Sequence, residues 1–160
     1  MAAPEQAGVV IEHPNRETDA SRITRFAVCA LLLASAALIA VVLIGGWDAL
    51  QGMRAVGIAW ILAYLGFAWY VARWNRGVLP VIAALCVIMA IFALLAVPSW
   101  FDRTASGYAQ PTLDANVLGA LTAIIVGLQV LLALVAAQGF TQAWNVEVER
   151  PVGSPVSADG

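Results

Sequence analysis

The stretch "FAVCALLLASAALIAVVLI", from Phe26 to Ile44, contains no Asp, Glu, Lys, Arg or His. A helix needs about 20 largely apolar residues to cross the hydrocarbon core of a bilayer. Backbone polar groups find no water there, so a helix that satisfies its own hydrogen bonds is the expected form. The stretch therefore predicts a transmembrane helix, and its repetition along the chain decides the fold.

Four runs of this kind occur, and each is free of charged residues and histidine. They are residues 26–44, 55–72, 78–97 and 117–137. None shows the alternation of apolar and polar residues that marks the strands of a membrane barrel. We therefore predict an all-α integral membrane protein whose four transmembrane helices form an up-down-up-down bundle within residues 22–144.

The composition agrees with this fold class. Of 160 residues, 62% are hydrophobic and 11% are charged, whereas a soluble domain carries about 25% charged residues. The net charge of −2 argues against a nucleic-acid partner. All eight basic residues are arginines, a bias typical of GC-rich bacterial genomes. The lipid bilayer is the first partner that these numbers predict.

The arginines also predict the orientation, because they are unequally divided between the two sides of a four-span chain. One side holds Arg16, Arg22, Arg25, Arg73, Arg76 and Arg150, and the other holds Arg54 and Arg103. Cytoplasmic segments carry the excess of positive charge. Both termini are therefore expected in the cytoplasm, with the protein in the plasma (inner) membrane.

The segments outside the spans are polar, and residues 1–21 and 145–160 are predicted to be disordered tails. Asp19 or Ser21 is expected to cap the first helix, and Asp114 the fourth, since these side chains accept from free backbone N–H groups.

The remaining helix ends are predicted from glycine and proline. Gly45-Gly46 is expected to end the first helix by adopting positive φ. Pro80 suits the first turn of the third helix, and Pro98 is expected to close it.

The stretch "WYVARWNRG", Trp69 to Gly77, has the aromatic and basic composition of a helix end at the membrane interface. Trp69, Arg73 and Arg76 share one helical face at i, i+4 and i+7, which allows one cation–π contact. Gly77 is expected to stop the second helix, and Asn75 receives no structural role.

Groups that could carry chemistry are few. The only histidine, His13, lies in a tail, so the spans offer no ligand set for haem or zinc. Cys29 and Cys86 lie at different expected depths, which disfavours a disulfide. No span contains the acidic residue that marks a proton-coupled transporter. We predict no catalytic residue, cofactor or metal.

Helix packing is the clearest signal that the spans contain. Gly119, Ala123 and Gly127 recur every fourth residue on one face of the fourth helix, which allows a close helix neighbour within the bundle or in a partner. Gln129 lies near the middle of the same helix. Its amide is expected to bond to another helix, because it would be costly against lipid.

The longer outer connection is the other candidate recognition region. It contains the candidate residues Trp100, Phe101, Asp102, Arg103 and Tyr108. Aromatic residues at the membrane surface usually anchor a chain at the headgroup level, and loops often carry recognition.

These observations favour a non-enzymatic role, as an accessory or scaffold subunit that associates with other membrane subunits or with itself. The alternative is a carrier or sensor of a lipid or other apolar ligand held between the helices, with Tyr64, Trp69, Tyr70 or Gln129 as contacts. A membrane enzyme that uses Asp102 and Asp114 ranks last, because neither has a visible partner.

Overall fold

The structure, a computed structural model of the chain, describes residues 9–103 and 107–151. Its elements in chain order are β1 (Val9–Glu12), α1 (Pro14–Glu17), α2 (Asp19–Gly45), α3 (Arg54–Ala72), a 3₁₀ turn (Arg76–Val78), α4 (Leu79–Asp102), α5 (Ala115–Thr141) and β2 (Val148–Pro151). Within the described ranges, α2, α3, α4 with its 3₁₀ turn, and α5 are long and apolar enough to cross a membrane. The prediction of a mostly helical chain with four helices long and apolar enough to cross a membrane is confirmed.

Side-chain caps explain where two of the long helices begin. Asp114 accepts from the backbone N–H of Asn116 at 2.8 Å, as predicted for the start of α5. At α2, however, the N-cap is Thr18, whose Oγ1 accepts from the N–H of Ser21 at 3.3 Å. Asp19 and Ser21 therefore lie inside the helix, and the prediction that one of them is the cap is wrong.

The glycine pair after α2 serves close packing. The helix ends at Gly45, but Gly46 has φ −101°, so the predicted positive φ is wrong. A Cβ on Gly45 would lie 2.5 Å from Leu113 Cδ1, and one on Gly46 would lie 2.5 Å from Trp100 Cη2. These glycines let Leu113 of the α4–α5 connection and Trp100 of α4 lie against the end of α2.

Proline and glycine act differently from expectation in the other helices. Pro80 lies in the first turn of α4, as predicted, but Pro98 is inside the helix, which continues to Asp102. The predicted stop at Gly77 is wrong. Helix α3 ends at Ala72, and Trp74, with φ 61°, makes the turn that follows. Asn75 accepts from the N–H of Gly77 at 3.0 Å and so caps the 3₁₀ turn.

The four long helices pack unequally. Helix α5 packs closely along both α4 and α2, and α2 also packs along α3. The backbones of α3 and α4 have almost no close approach, so these two helices meet through side chains such as Trp60 and Phe92, whose rings are 6.1 Å apart. One side of the bundle is therefore loosely joined.

Contacts between helix ends define two ends of the bundle. At the first, the start of α2 meets the end of α3 through Arg25 Nη1 and the Ala72 carbonyl, at 3.1 Å. At the opposite end, the N–H of Leu113, just before α5, donates to the Gly45 carbonyl at 3.0 Å. We call the first the termini end, because β1 and β2 are there, and the second the loop end.

The described parts of the two tails are ordered against each other. β1 and β2 form an antiparallel pair in which Val10 faces Arg150 and Ile11 faces Glu149. Asn15 Nδ2 donates to the carbonyl of Ala143 at 3.1 Å, which ties the N-terminal segment to the end of α5. This corrects the prediction of disorder for residues 9–21 and 145–151; the rest of both tails lies outside the described residues.

Candidate functional site

A layer of polar side chains crosses the middle of the bundle, with one residue from each spanning helix. Its members are Ser35 of α2, Tyr64 of α3, Cys86 of α4 and Gln129 of α5, and all four are fully buried. We call it the polar layer. Gln129 Nε2 donates to Ser35 Oγ at 3.1 Å, and the Tyr64 hydroxyl donates to Gln129 Oε1 at 2.6 Å. The Tyr64 hydroxyl also lies 3.9 Å from Cys86 Sγ.

The polar layer is the interhelical bonding that the sequence indicated for Gln129. Its amide uses one donor and its acceptor on two different helices, which fixes the register of α2 and α3 against α5. Interhelical hydrogen bonds in membranes contribute about 0.6 kcal/mol on average and up to about 1.7 kcal/mol. The signal for its partners was weak, because Ser35, Tyr64 and Cys86 are single residues in apolar runs.

An apolar pocket of about 150 Å³ lies between the polar layer and the loop end. Residues of all four spanning helices and of the 46–53 connection line it, and the polar side-chain groups of this described lining are the Thr122 hydroxyl and the Trp100 indole N–H. The lining residues Ile39 and Ile125 are buried, whereas Val56 of α3 and Phe92 of α4 are substantially exposed. The pocket therefore opens to the outside between α3 and α4, and we call it the α3–α4 pocket.

Small side chains create this space. Gly57 of α3 and Ala93 and Ala96 of α4 face the pocket where larger residues would close it. Gly57 is also constrained, since a Cβ there would lie 3.2 Å from Leu43 Cδ1. The loose backbone packing of α3 on α4 thus coincides with the place where both helices carry their smallest lining residues.

The pocket and the polar layer are consecutive layers of the bundle. Ile39 lies one helical turn from Ser35, and Ile125 lies one turn from Gln129. On α3, Trp60 falls between the pocket and Tyr64. The Nε1 of Trp60 is buried and has no hydrogen-bond partner among the described residues.

The predicted outer-loop residues are divided between packing and surface. Trp100 is buried and forms a wall of the α3–α4 pocket, and Phe101 packs on Gly119. Asp102 and Tyr108 are exposed. Arg103 Nη2 donates to the carbonyl of Ala49 at 3.4 Å, and its guanidinium lies 5.5 Å from the ring centroid of Trp100 and 5.8 Å from that of Tyr108.

The small-residue face of α5 is likewise divided. A Cβ on Gly119 would lie 2.9 Å from Phe101 Cζ, so this position packs inside the chain. Ala123 and Gly127 are exposed, and a Cβ on Gly127 would meet nothing within 4 Å. Gly119 therefore packs within the bundle, whereas Ala123 and Gly127 lie on the exposed surface of α5.

The three aromatic residues proposed as ligand contacts do not lie together. Tyr64 is buried in the polar layer, whereas Trp69 is 59% exposed and Tyr70 is 51% exposed. The Arg73 guanidinium lies 4.2 Å from the ring centroid of Trp69, which is the expected cation–π contact. Trp69 and Tyr70 therefore lie on the outer surface of α3 and do not line the α3–α4 pocket.

The termini end is closed by a cluster that the sequence analysis missed. Trp144 is fully buried and meets Trp74 edge-to-face, with the ring centroids 5.4 Å apart. Arg16 Nε donates to the Trp144 carbonyl at 2.8 Å, and Trp144 Nε1 donates to Gln142 Oε1 at 3.0 Å. The available signal was a tryptophan a few residues after the last span, and the sequence gives it no role beyond marking the end of the membrane domain.

The second part of this closure comes from the α3–α4 turn. Arg76 Nε donates to the Phe140 carbonyl at 2.7 Å, and Arg76 Nη1 donates to Asn145 Oδ1 at 2.8 Å. Arg25 lies over Trp74 at 4.2 Å from the ring centroid. Arg25 and Arg76, which indicate the orientation of the chain, therefore also stabilise the termini end through these contacts.

Within residues 9–103 and 107–151, no three His, Cys, Asp or Glu side chains converge as potential metal ligands. Cys29 and Cys86 are free, and Cys29 Sγ lies 3.7 Å from the Ala68 carbonyl. The chemistry that this arrangement supports is apolar contact in the pocket.

Comparisons with protein-family profiles, with curated proteins and with solved structures find no match to this chain.

Proposed function

We propose that this small multi-pass membrane protein binds an apolar membrane molecule in the α3–α4 pocket, as a carrier or sensor. The observation that supports the proposal is a pocket lined by all four spanning helices and open on the side where α3 and α4 separate. An apolar concavity with a few convergent polar groups is the usual form of a small-molecule site.

The lateral opening favours a ligand that arrives from the bilayer. The exposed lining residues Val56 and Phe92 belong to the two helices that flank the opening. Large apolar side chains are exposed on all four spanning helices, among them Phe26, Leu62 and Leu95, and a hydrocarbon surrounding suits such a surface.

The proposed role is binding without catalysis. The Thr122 hydroxyl, one of the polar groups of the lining, donates to the Leu118 carbonyl of its own helix at 2.7 Å. Its proton is therefore already used in a hydrogen bond to the backbone. The other lining side chains are hydrocarbon, thioether or aromatic.

The matched variants Ala96→Leu and Ala84→Leu test the proposal. Ala96 lines the pocket, whereas Ala84 lies on the exposed surface of the same helix. Native mass spectrometry of protein released from nanodiscs should show a retained apolar molecule in the wild type and in Ala84→Leu, and its loss in Ala96→Leu. Equal retention in all three proteins, or none in the wild type, would refute the proposal.

A second candidate function is that of an accessory subunit, and the exposed pair Ala123 and Gly127 favours it. Small residues one turn apart let a second helix approach closely in a membrane, and Gly127 has open space beside it. Under this hypothesis Gly127→Leu blocks co-purification of a partner or a second copy in mild detergent. Recovery of a lone monomer from wild-type membranes would count against it.

For either role we propose that the termini end faces the cytoplasm, as the arginine distribution indicates. The α3–α4 pocket then lies in the outer half of the membrane. Fusion of a fluorescent protein that folds only in the cytoplasm to the C terminus tests this orientation. Fluorescence is expected, and its absence at normal expression would reverse the assignment.

A further inference from the structure

Arg76 is held in a fixed position at the termini end without using all of its donors. Its Nε donates to the Phe140 carbonyl at 2.7 Å and its Nη1 to Asn145 Oδ1 at 2.8 Å. Its guanidinium lies 4.2 Å from the ring centroid of Phe140, and among residues 9–103 and 107–151 it forms no salt bridge. A guanidinium has five N–H groups, so this cation still has donors for an acceptor from outside these residues.

Arg76 lines an open concavity of about 330 Å³ at the surface of the termini end. Asn75 and Asn145, also in the lining, accept hydrogen bonds through their side-chain oxygens, which leaves their NH₂ groups as further donors. None of the described lining residues is acidic: they are Trp74, Asn75, Arg76, Gly77, Phe140 and Asn145. We call this concavity the Arg76 pocket, and its chemistry suits an anion.

A second concavity, also of about 330 Å³, is an apolar groove between α4 and α5. Its rim includes the exposed side chains of Val87 and Leu94 on α4 and of Leu134 on α5. Ala133 on α5 is one of the small residues that leave the space. The amide of Gln129 also contributes to the lining, but it is fully buried and bonded within the polar layer. We call this concavity the α4–α5 groove.

The Arg76 pocket and the α4–α5 groove lie on one side of the bundle. Phe140 of the pocket and Ala133 and Val126 of the groove recur every two turns of α5 and so share one helix face. On α4, Val87 lies roughly 12 Å along the helix from Leu79, where α4 follows the Arg76–Val78 turn. The groove therefore continues the pocket toward the middle of the bundle.

We infer that an anionic phospholipid binds along this side of the protein, with its phosphate in the Arg76 pocket and one acyl chain in the α4–α5 groove. Arginine forms charge-assisted hydrogen bonds with phosphate oxygens, and basic pockets between transmembrane helices recognise anionic headgroups. The hydrocarbon of one leaflet is about 15 Å deep, half of the bilayer core, so a chain that descends from the Arg76 pocket passes the level of Val87.

The two concavities together favour this occupant over others. A free phosphate ion would leave the groove unused, and an uncharged lipid would leave Arg76 without an anionic partner. The site is separate from the α3–α4 pocket, because the two sets of lining residues have no member in common. The inference therefore goes beyond the proposed function and does not rest on it.

Native mass spectrometry tests the headgroup preference. The full chain is released from nanodiscs that contain equal amounts of phosphatidylcholine and phosphatidylglycerol with identical acyl chains. One arginine at the membrane surface should enrich the retained phosphatidylglycerol roughly 5-fold over phosphatidylcholine. Equal retention of the two lipids by the wild type would overturn the inference.

Two arginine variants locate the preference. Arg76→Gln should abolish it. Arg73→Gln removes the same charge from the neighbouring helix end, where the side chain is exposed and outside the pocket lining, and should keep it. Equal loss in both variants would mean a diffuse attraction to the membrane surface and would overturn the site.

The groove is tested by a variant that leaves Arg76 unchanged, which also decides the matter should Arg76→Gln fold poorly. Ala133→Leu fills the groove and should lower the retention of both lipids. Ala120→Leu, exposed on the same helix and outside the groove lining, should retain them as the wild type does. Unchanged retention in Ala133→Leu would overturn the placement of the acyl chain.

Two further arms separate the site from its alternatives. An excess of inorganic phosphate, added to the nanodiscs before release, should displace no more phosphatidylglycerol than sodium chloride at the same ionic strength. Greater displacement would assign the site to a free anion and overturn the inference. Ala96→Leu, in the α3–α4 pocket, should keep the preference, so loss of the apolar ligand there and loss of the phospholipid here are separate outcomes.

Discussion

The two ends of the bundle are closed by different kinds of contact. At the termini end, Arg16 and Asn15 donate to backbone carbonyls near the buried Trp144, whose indole N–H donates to Gln142 Oε1. At the loop end, side chains pack onto glycines, as Trp100 does on Gly46, and a pocket remains between α3 and α4. Hydrogen bonds fix the termini end, whereas small residues leave a pocket near the loop end.

Trp144→Ala should have the largest effect, because it removes the centre of the closed end. Truncation of a buried tryptophan costs about 3–5 kcal/mol, and Trp144 is fully buried. The free energy of unfolding in mixed micelles measures the loss. Trp69→Ala, at an exposed position, is the control and should cost about 1 kcal/mol or less. Similar losses in both variants would mean that the termini end is not a special source of stability.

Gln129→Leu should have the next largest effect, because the polar layer lies between the two ends. The change leaves the Tyr64 and Ser35 hydroxyls without their amide partner, at an expected cost of about 1–2 kcal/mol. Adding Tyr64→Phe should recover part of the loss, since residues in one network are not additive. Strict additivity in a double-mutant cycle would contradict the shared network.

Ala96→Leu should raise the stability of the ligand-free protein, in contrast to changes at the termini end. The added side chain fills space in the α3–α4 pocket, and filling a cavity commonly contributes about 0.5–2 kcal/mol. Thermal unfolding in detergent measures the change. Ala84→Leu, exposed on the same helix, should stay within about 0.5 kcal/mol of the wild type. A destabilised Ala96→Leu would show that the pocket is already filled by its own side chains.

His13→Ala should have the smallest effect, although it lies at the more strongly bonded end. His13 Nε2 is 3.4 Å from Glu147 Oε1, but these side chains are 27% and 59% exposed. An exposed ion pair contributes about 0–1 kcal/mol, so unfolding should shift by less than about 0.5 kcal/mol. A larger loss would mean that the tail pairing itself, more than the buried Trp144, holds this end.

Helix content and number could be predicted from the sequence, since an apolar run without charges has few alternatives in a bilayer. Helix ends were predicted less well. Asp114 caps α5 as expected. Pro98, however, lies inside α4, which continues in helical form to Asp102. Local signals decide a boundary only where no neighbouring element competes for the same residues.

The candidate site was harder to predict, because its residues come from every helix. Gln129 could be recognised as a residue that needs a partner inside the bundle. Its partners could not be, since Ser35 and Tyr64 carry no pattern that identifies their orientation toward α5. Trp60 could not be recognised either, because whether its N–H has a partner depends on the side chains that other elements place around it.

The sequence by itself determined that this chain forms four apolar helices, because hydrocarbon excludes unbonded backbone and uncompensated charge. Only the tertiary structure decided which helices touch. Close packing of α5 on α2 and α4 leaves α3 and α4 joined by side chains alone, and their small residues Gly57 and Ala96 then bound a pocket. A pocket depends on how side-chain volumes from several helices fit together, and no single segment contains that information.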